Sequence, residues 1–419
     1  MRIALLNWRD LTHPEGGGAE RYAQTVCAGL ARRGHAVTMF CAAHGDASAV
    51  EEIDGYRIVR RGGRSTVYPA TLRALVRSRR AHGAYDVVID AQNGLPFWAP
   101  LVTRIPVVSL VHHVHREQWP VVFGPVMARV GWLIESRISP RVYRGHPYVT
   151  VSGRSREELV GLGVRASDIE IIHNGTDRPI ALGESRAARP TVVVLGRLVP
   201  HKRVELAIDV LARLLAVVPD AELRIVGDGW WRHRVEEHAR ASGVSDRVHF
   251  LGHVDEEAKH RELSRAWVAL APSAKEGWGL NVVEAASHGV PTVAHHGAGG
   301  LSESIVDGRT GVLVDDVKGM AEATARLLLD SSARTVMGHL ALDHAATYTW
   351  EGAVGAWERL LLRVVGHPPA TAHQHRAVAR SASSPAGGSA VSPVVSASWV
   401  SPASSAPVRQ PQLTEAASG

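Results

Sequence analysis

The chain has 419 residues, 45% of them apolar, which is more than one ordinary core uses and enough to fold without a metal or disulfide staple. Its formal charge of +6, from 47 basic against 41 acidic side chains, suits nucleic acid, anionic lipid and phosphorylated ligands equally and selects none of them. Cys27 and Cys41 are the only cysteines, which argues against a secreted disulfide scaffold, and neither a signal peptide nor an apolar run long enough to span a membrane is legible, so a cytoplasmic protein is expected.

In chain order, short β-branched runs at 3–6, 36–40, 56–59, 87–89, 107–111 and 148–151 alternate with amphipathic stretches. That is the rhythm of βαβ units and a parallel sheet. Helices are expected over 20–31 and 155–162, the second capped by Ser152. After a strand at 169–172, the run His173-Asn174-Gly175-Thr176-Asp177 reads as a turn and a polar stretch follows to Arg189, so a first domain is set at 1–180. The alternation then restarts with strands at 192–195, 222–226, 248–251, 268–270 and 291–294 and helices at 204–217, 231–241 and 280–287. This gives a second domain at 190–345 and a terminal helix at 350–365. Two successive Rossmann-like, doubly wound α/β domains follow. From 366 to 419 the chain is rich in Ser, Ala and Pro, buries too little apolar surface to offset its ordering entropy, and is expected to be a disordered tail.

The segment Lys275-Glu276-Gly277-Trp278-Gly279-Leu280-Asn281-Val282-Val283-Glu284 is the richest in chemistry. Helix is expected to begin near Leu280, leaving Glu276 on the preceding loop and Glu284 in the first two turns. A helix N-terminus offers unpaired N–H groups to a phosphate, and the glycines let the backbone come close to a ligand. Two carboxylates beside such a site can accept hydrogen bonds from the vicinal hydroxyls of a sugar and a ribose. The bland alternative for either Glu alone is a favourable partner for the helix dipole. Gly196-Arg197 through Lys202 follows the strand at 192–195, at the edge where open α/β sheets bind ligands, and Arg197 and Lys202 can neutralise a diphosphate. A plain surface basic cluster is the competing reading. Gly227-Asp228-Gly229 is a further turn at the same edge, weak when taken alone.

In the first half, Gly16-Gly17-Gly18-Ala19-Glu20 opens a helix too long after the first strand for a dinucleotide fingerprint, which argues against a dehydrogenase. It can still approach a sugar phosphate, although an ordinary surface loop has the same composition. His112, His113 and His115 follow the strand at 107–111 without the Cys or carboxylate partners that a metal site needs. A single active-site histidine is favoured over a solvated cluster. The chain has no D-x-D triplet to hold a divalent cation, so no metal and no cofactor is expected.

Taken together, these segments resemble the retaining family 4 glycosyltransferases of GT-B fold over roughly residues 1–365. The matching pieces are Gly17 to Glu20, the strand at 107–111 with Pro106 and His112, Val151-Ser152 with Ser155, Ile172 to Gly175, Gly196-Arg197 with Lys202, Gly227 to Gly229, Glu276 to Glu284, and Gly311. The resemblance implies two Rossmann-like domains facing a central cleft, with the terminal helix crossing back to the first. It assigns Arg197 and Lys202 to the donor diphosphate, Glu276 to hydroxyls of the transferred sugar, and Gly279, Leu280 and Asn281 to backbone contacts near it. It assigns Glu284 to the ribose, Gly17 and Gly18 to the diphosphate from the facing side, Val254 with Gly252 and His253 to the nucleobase loop, and His112 to the sugar near the acceptor. His113 stands where many members have Asp, a departure on the acceptor side.

The reaction so implied is a metal-independent, front-face transfer of a hexose from a UDP- or GDP-linked donor to a glycan or lipid-linked acceptor, with retention. Catalytic roles fall to Glu276, His112, Lys202 and Arg197. Open alternatives are another GT-B reaction, such as a nucleotide-sugar 2-epimerase or a phosphorylase, and a non-catalytic sugar-nucleotide-binding module. Nucleic acid is not an expected partner. Residues 60–80 interleave Arg60, Arg61, Arg64, Arg73, Arg77, Arg79 and Arg80 with apolar positions at helical spacing from Pro69. An anionic membrane, at the inner face of the plasma membrane, is the expected partner of that face, against the plain alternative of a solvated Arg-rich helix.

Overall fold

Asp54-Gly55 takes positive φ at both residues, 50° and 81°, the turn that closes a two-residue hairpin. It joins an edge strand, Val50–Ile53, to the strand Tyr56–Arg60, and with that hairpin the first sheet is complete. The computed structural model describes residues 1–177 and 183–366. The first sheet consists of β1 (Arg2–Leu6), β2 (Ala36–Cys41), β3 (Val50–Ile53), β4 (Tyr56–Arg60), β5 (Val87–Gln92), β6 (Val107–Val111), β7 (Tyr148–Thr150) and β8 (Ile169–Ile171), in the order β3-β4-β2-β1-β5-β6-β7-β8. The second consists of β9 (Thr191–Leu195), β10 (Glu222–Val226), β11 (Val248–Gly252), β12 (Val268–Ala271), β13 (Thr292–His295) and β14 (Gly311–Val314), in the order β11-β10-β9-β12-β13-β14.

The β3–β4 hairpin is antiparallel; the other ladders between these strands are parallel. Central strands such as β5 and β6 are buried at every position, as a sheet covered by helices on both faces demands. The two doubly wound domains expected from the alternation are therefore present. In each, the strand order reverses beside the first strand: between β1 and β5 in one sheet, between β9 and β12 in the other. Ligand crevices form outside the carboxyl ends of strands at such switch points. The loops that leave those ends in the second sheet are the one running to Lys202 and the one running to Gly279.

β3 and β14 were not expected. β3 reads Val-Glu-Glu-Ile, too short and polar for a strand signal, and β14 is a four-residue strand after a turn at Asp307-Gly308. Between β6 and β7, where no element was expected, the chain forms the helices Trp119–Val122 and Pro125–Leu133, a π-helical stretch Ile134–Ile138 and a last helical turn Ser139–Val142. The helix at 67–82 begins at Val67 rather than at Pro69.

The terminal helix Trp350–Val365 lies on the helix Gly18–Arg32 and ends on Gly366 in the left-handed conformation. Its Trp357 is fully buried and donates from Nε1 to the Tyr22 hydroxyl at 2.7 Å. Trp278, from the loop before the helix Leu280–Ser287, enters the same apolar cluster as Val151 and Ile172, the residues that follow β7 and β8. Its ring packs on His173 at 4.4 Å and on Tyr348 at 4.8 Å. The tail from 367 to 419 lies outside the described residues.

Candidate active site

Gly279 caps the helix Leu280–Ser287 at φ 91°, and a Cβ there would lie 2.3 Å from Leu301. The left-handed φ favours glycine, and the Leu301 side chain closes the space a Cβ would take. Gly277 is required for another reason: a Cβ on it would lie 2.5 Å from the carbonyl oxygen of His112, so this loop presses directly on the end of β6. Between these two glycines Trp278 turns down into the core, and just before them Glu276 is left facing Lys202. The loop is held by Glu276 N–H donating to Ala298 at 3.1 Å and by Gly300 N–H donating to Glu276 at 2.9 Å.

The Glu276 carboxylate accepts a hydrogen bond from Lys202 Nζ and a second from Ser273 Oγ at 2.6 Å. Burial by itself would raise this carboxyl. The Lys202 charge and the two hydrogen bonds outweigh burial, so Glu276 sits below its ordinary value and is ionised. Lys202 ends the tight turn Pro200–Lys202 that follows β9, so the switch-point loop delivers it. Arg197, on the same loop, crosses to the first domain: its Nη1 donates to the Glu15 carbonyl at 3.0 Å, and its Nε is 3.1 Å from where a Gly17 Cβ would sit.

Gly18 starts the helix Gly18–Arg32, and Leu280 starts the helix Leu280–Ser287. A Gly18 Cβ would lie 3.9 Å from Leu280 Cδ2, so the two helix starts face each other. Each presents unpaired N–H groups and partial positive charge. With Arg197 and Lys202 alongside, four sources of positive potential meet around one point; Glu276 faces Lys202, and the buried Glu20 accepts from the Gly17 N–H at 2.8 Å. The arrangement suits a dianion carried on backbone N–H groups.

Farther along the same helix, Glu284 accepts from Lys259 Nζ at 2.7 Å. Burial would lower the Lys259 ammonium, but Glu284 and Glu256 outweigh it and hold it above its ordinary value. The network continues across the domains through Glu256 to Arg21 at 3.0 Å and on to Asp177 at 2.5 Å. Asn281 donates from its side chain to the Leu195 carbonyl at 3.2 Å, tying the start of the helix to the end of β9. Val254 packs beside Leu195 and Leu251 in a small apolar cluster at the same sheet edge.

His112 follows directly on β6 and is buried. Its ring meets Tyr22 edge-on at 5.2 Å. Burial, with a smaller effect from His115, lowers it to about 4, so it is a neutral imidazole at physiological pH. His113 is likewise pushed well below its ordinary value by burial and contacts Gln118 at 2.8 Å, while His115 pairs with the buried Glu135 at 3.0 Å. These three do not form a solvated cluster. Among the described residues no group of three or more His, Cys, Asp or Glu side chains is placed to hold a metal ion.

Lys275 and Glu303 clamp the domains beside these groups. Lys275 reaches the first domain through Glu158 at 2.7 Å, the Val114 carbonyl at 2.9 Å and Glu117 at 3.0 Å. Glu303 of the second domain accepts from the Gly153 and Arg154 N–H groups at 2.8 Å each, capping a helix of the first. One residue of the 60–80 face departs from expectation. Arg60 is fully buried on β4, paired with Asp10 and with Glu51, because its position on the strand points inward. The side chains of Arg79 and Arg80 lie outside the described residues.

Residues 16–178 match the family described as Glycosyltransferase Family 4, and residues 183–342 match Glycosyl transferases group 1. A D-inositol 3-phosphate glycosyltransferase from Kribbella flavida is 30% identical over 382 residues, covering 80% of this chain and 88% of its own. The chain belongs to the family 4 glycosyltransferases. A GDP-mannose-dependent alpha-(1-6)-phosphatidylinositol monomannoside mannosyltransferase from Mycobacterium tuberculosis is 29% identical over 382 residues, 84% of this chain and 94% of that one. Sucrose-phosphate synthase from Thermosynechococcus elongatus superposes with a TM-score of 0.75 at 21% identity, over 88% of this chain and 100% of that one. Anabaena Alr3699/HepE in complex with UDP and glucose gives 0.70 at 20% identity, over 86% and 99%. These likenesses are of fold, and the fold is GT-B.

For this family 4 glycosyltransferase, sequence reasoning had picked Arg197, Lys202, Glu276, Gly18 and His112 from separate segments, and the fold brings all five to one region. It gave no role to Lys259, Glu303 or Tyr22, nor to Lys275 and Trp278 within the Lys275–Glu284 segment. A signal for the lysines existed: in an arginine-rich chain, Lys202, Lys259 and Lys275 each face a carboxylate at 18%, 11% and 11% side-chain exposure, whereas Lys318 is 73% exposed.

Proposed function

We propose that this enzyme moves a hexose from a UDP- or GDP-linked donor to a glycan or lipid-linked acceptor, with retention and without a metal ion. The observation that carries the reading is the meeting of the Gly18 and Leu280 helix starts with Arg197 and Lys202 beside Glu276. Relatives support the substrate class: one is named for GDP-mannose and a phosphatidylinositol mannoside, another for inositol 3-phosphate, and a solved neighbour holds UDP and glucose.

In this reading the donor diphosphate lies between the two helix starts. Arg197 and Lys202 meet the charge that develops on the β-phosphate as the glycosidic bond breaks, where preorganised positive groups lower the barrier most. The departing phosphate takes the acceptor hydroxyl's proton on the same face of the sugar, which gives retention. Glu276, kept ionised by Lys202, accepts hydrogen bonds from sugar hydroxyls; Glu284 does the same for the ribose; Val254 lies at the base. Neutral His112 contacts the sugar on the acceptor side. The closed contacts of Lys275 and Glu303 keep water from the donor.

A thermal-shift panel of UDP-, GDP- and ADP-hexoses in EDTA tests the assignment. One nucleotide sugar at a hundred times its Kd is expected to stabilise the protein by about 2.7 kcal/mol, and no shift with any of them would overturn it.

A further inference from the structure

The helix Pro125–Leu133 is built inside out. Its inward face is Ala128 and Gly131, the latter so close under Trp119 that a Cβ would lie 2.4 Å from the ring. Its outward face is Val126, Met127, Val130 and Leu133, exposed by 68%, 58%, 42% and 53%. Val122 and Phe123, just before it, are exposed by 52% and 41% and extend the same apolar run. A contiguous apolar surface on a soluble chain marks an interaction site.

Charge identifies the occupant. Within residues 118–146 the only acidic side chain is Glu135, and it is buried, accepting from Trp119 Nε1 at 2.7 Å and from His115. Arg129, Arg137, Arg141 and Arg144 are exposed, and none is in an ion pair among the described residues. An apolar face rimmed by unpaired arginines matches an anionic bilayer surface, where the side chains enter the acyl boundary and the guanidinium groups meet phosphates. A second copy of the chain would set arginine rim against arginine rim, with no carboxylate in this segment to pair them. No described helix is long and apolar enough to cross a membrane, so the contact is interfacial.

We infer that residues 119–144 dock this enzyme on anionic lipid. Glu135 links the docking segment through His115 to the loop that carries His112.

Co-sedimentation of the full chain with phosphatidylcholine vesicles, with and without phosphatidylglycerol, tests this. The wild type is expected to pellet with the anionic vesicles. The exposed-residue variant V126S/V130S/L133S is expected to lose binding by about tenfold or more at an unchanged Tm, and R129Q/R137Q to bind less tightly. The inference is overturned if the wild type stays in the supernatant or if the triple variant pellets like the wild type. It is equally overturned if R73Q/R77Q abolishes binding while the triple variant keeps it, or if the triple variant turns a wild-type dimer into a monomer.

Discussion

Lys202→Ala removes the cation that faces Glu276 and, in the proposed mechanism, the leaving phosphate. The two side chains are 18% and 13% exposed, so alanine leaves a poorly solvated carboxylate with Ser273, at 2.6 Å, as its remaining side-chain donor. Removing one partner of a fully buried pair costs about 3–5 kcal/mol; residual solvent access and Ser273 bring the expected cost here to about 2 kcal/mol. At about 2–4 °C per kcal/mol, the Tm should fall by about 4–8 °C. The effect on turnover is larger, because losing one preorganised group at a developing negative charge costs about 10²–10³ in kcat. Adding Glu276→Gln separates the two effects: the double variant has no unpaired charge and should regain most of the Tm, while activity stays low. Nucleoside diphosphate release and differential scanning fluorimetry on wild type, both single variants and the double variant measure both quantities. Wild-type turnover in Lys202→Ala, or activity that returns with stability in the double variant, would refute the reasoning.

Gly277→Ala places a methyl where the His112 carbonyl stands, 2.5 Å away, and should push the loop off the first domain; a misplacement of that size lowers kcat by about 10²-fold, and unchanged steady-state kinetics would contradict the contact. His112 is held near 4 rather than 6.5 by burial, so between those values the unfolded chain binds a proton that the folded chain refuses, and stability falls as pH falls. His112→Gln removes that contribution, and the wild type should lose Tm relative to the variant from pH 6.5 down to pH 4; parallel curves would count against it. Glu303→Ala removes a cap that crosses between domains and should cost about 1 kcal/mol, seen as a Tm lower by about 2–4 °C.

The alternation of β-branched runs made both sheets legible, because a buried parallel strand such as β9 reads as a nearly continuous apolar run. Glu276, Gly279 and Glu284 were legible because a glycine-bounded loop before a helix has few other uses. Trp278 was not: a tryptophan between two glycines reads as exposed until the cluster with His173 and Tyr348 is seen. Glu303 and Lys275 act on partners more than a hundred positions away, at Gly153 and Glu158, and no local pattern encodes such a distance. At 119–133 the apolar residues read as ordinary core until exposure is known.

The central claim is transfer from a nucleotide sugar, and the most direct measurement follows both halves of the donor at once. The purified chain would be incubated in EDTA with the nucleotide hexose that stabilises it and a lipid-linked acceptor, quantifying free nucleoside diphosphate and the anomeric configuration of the product by NMR. Retaining transfer predicts nucleoside diphosphate released in step with a glycosylated acceptor that keeps the donor's configuration. An intact nucleotide sugar with its hexose epimerised, an inverted product, or no turnover with a donor that binds would each contradict it.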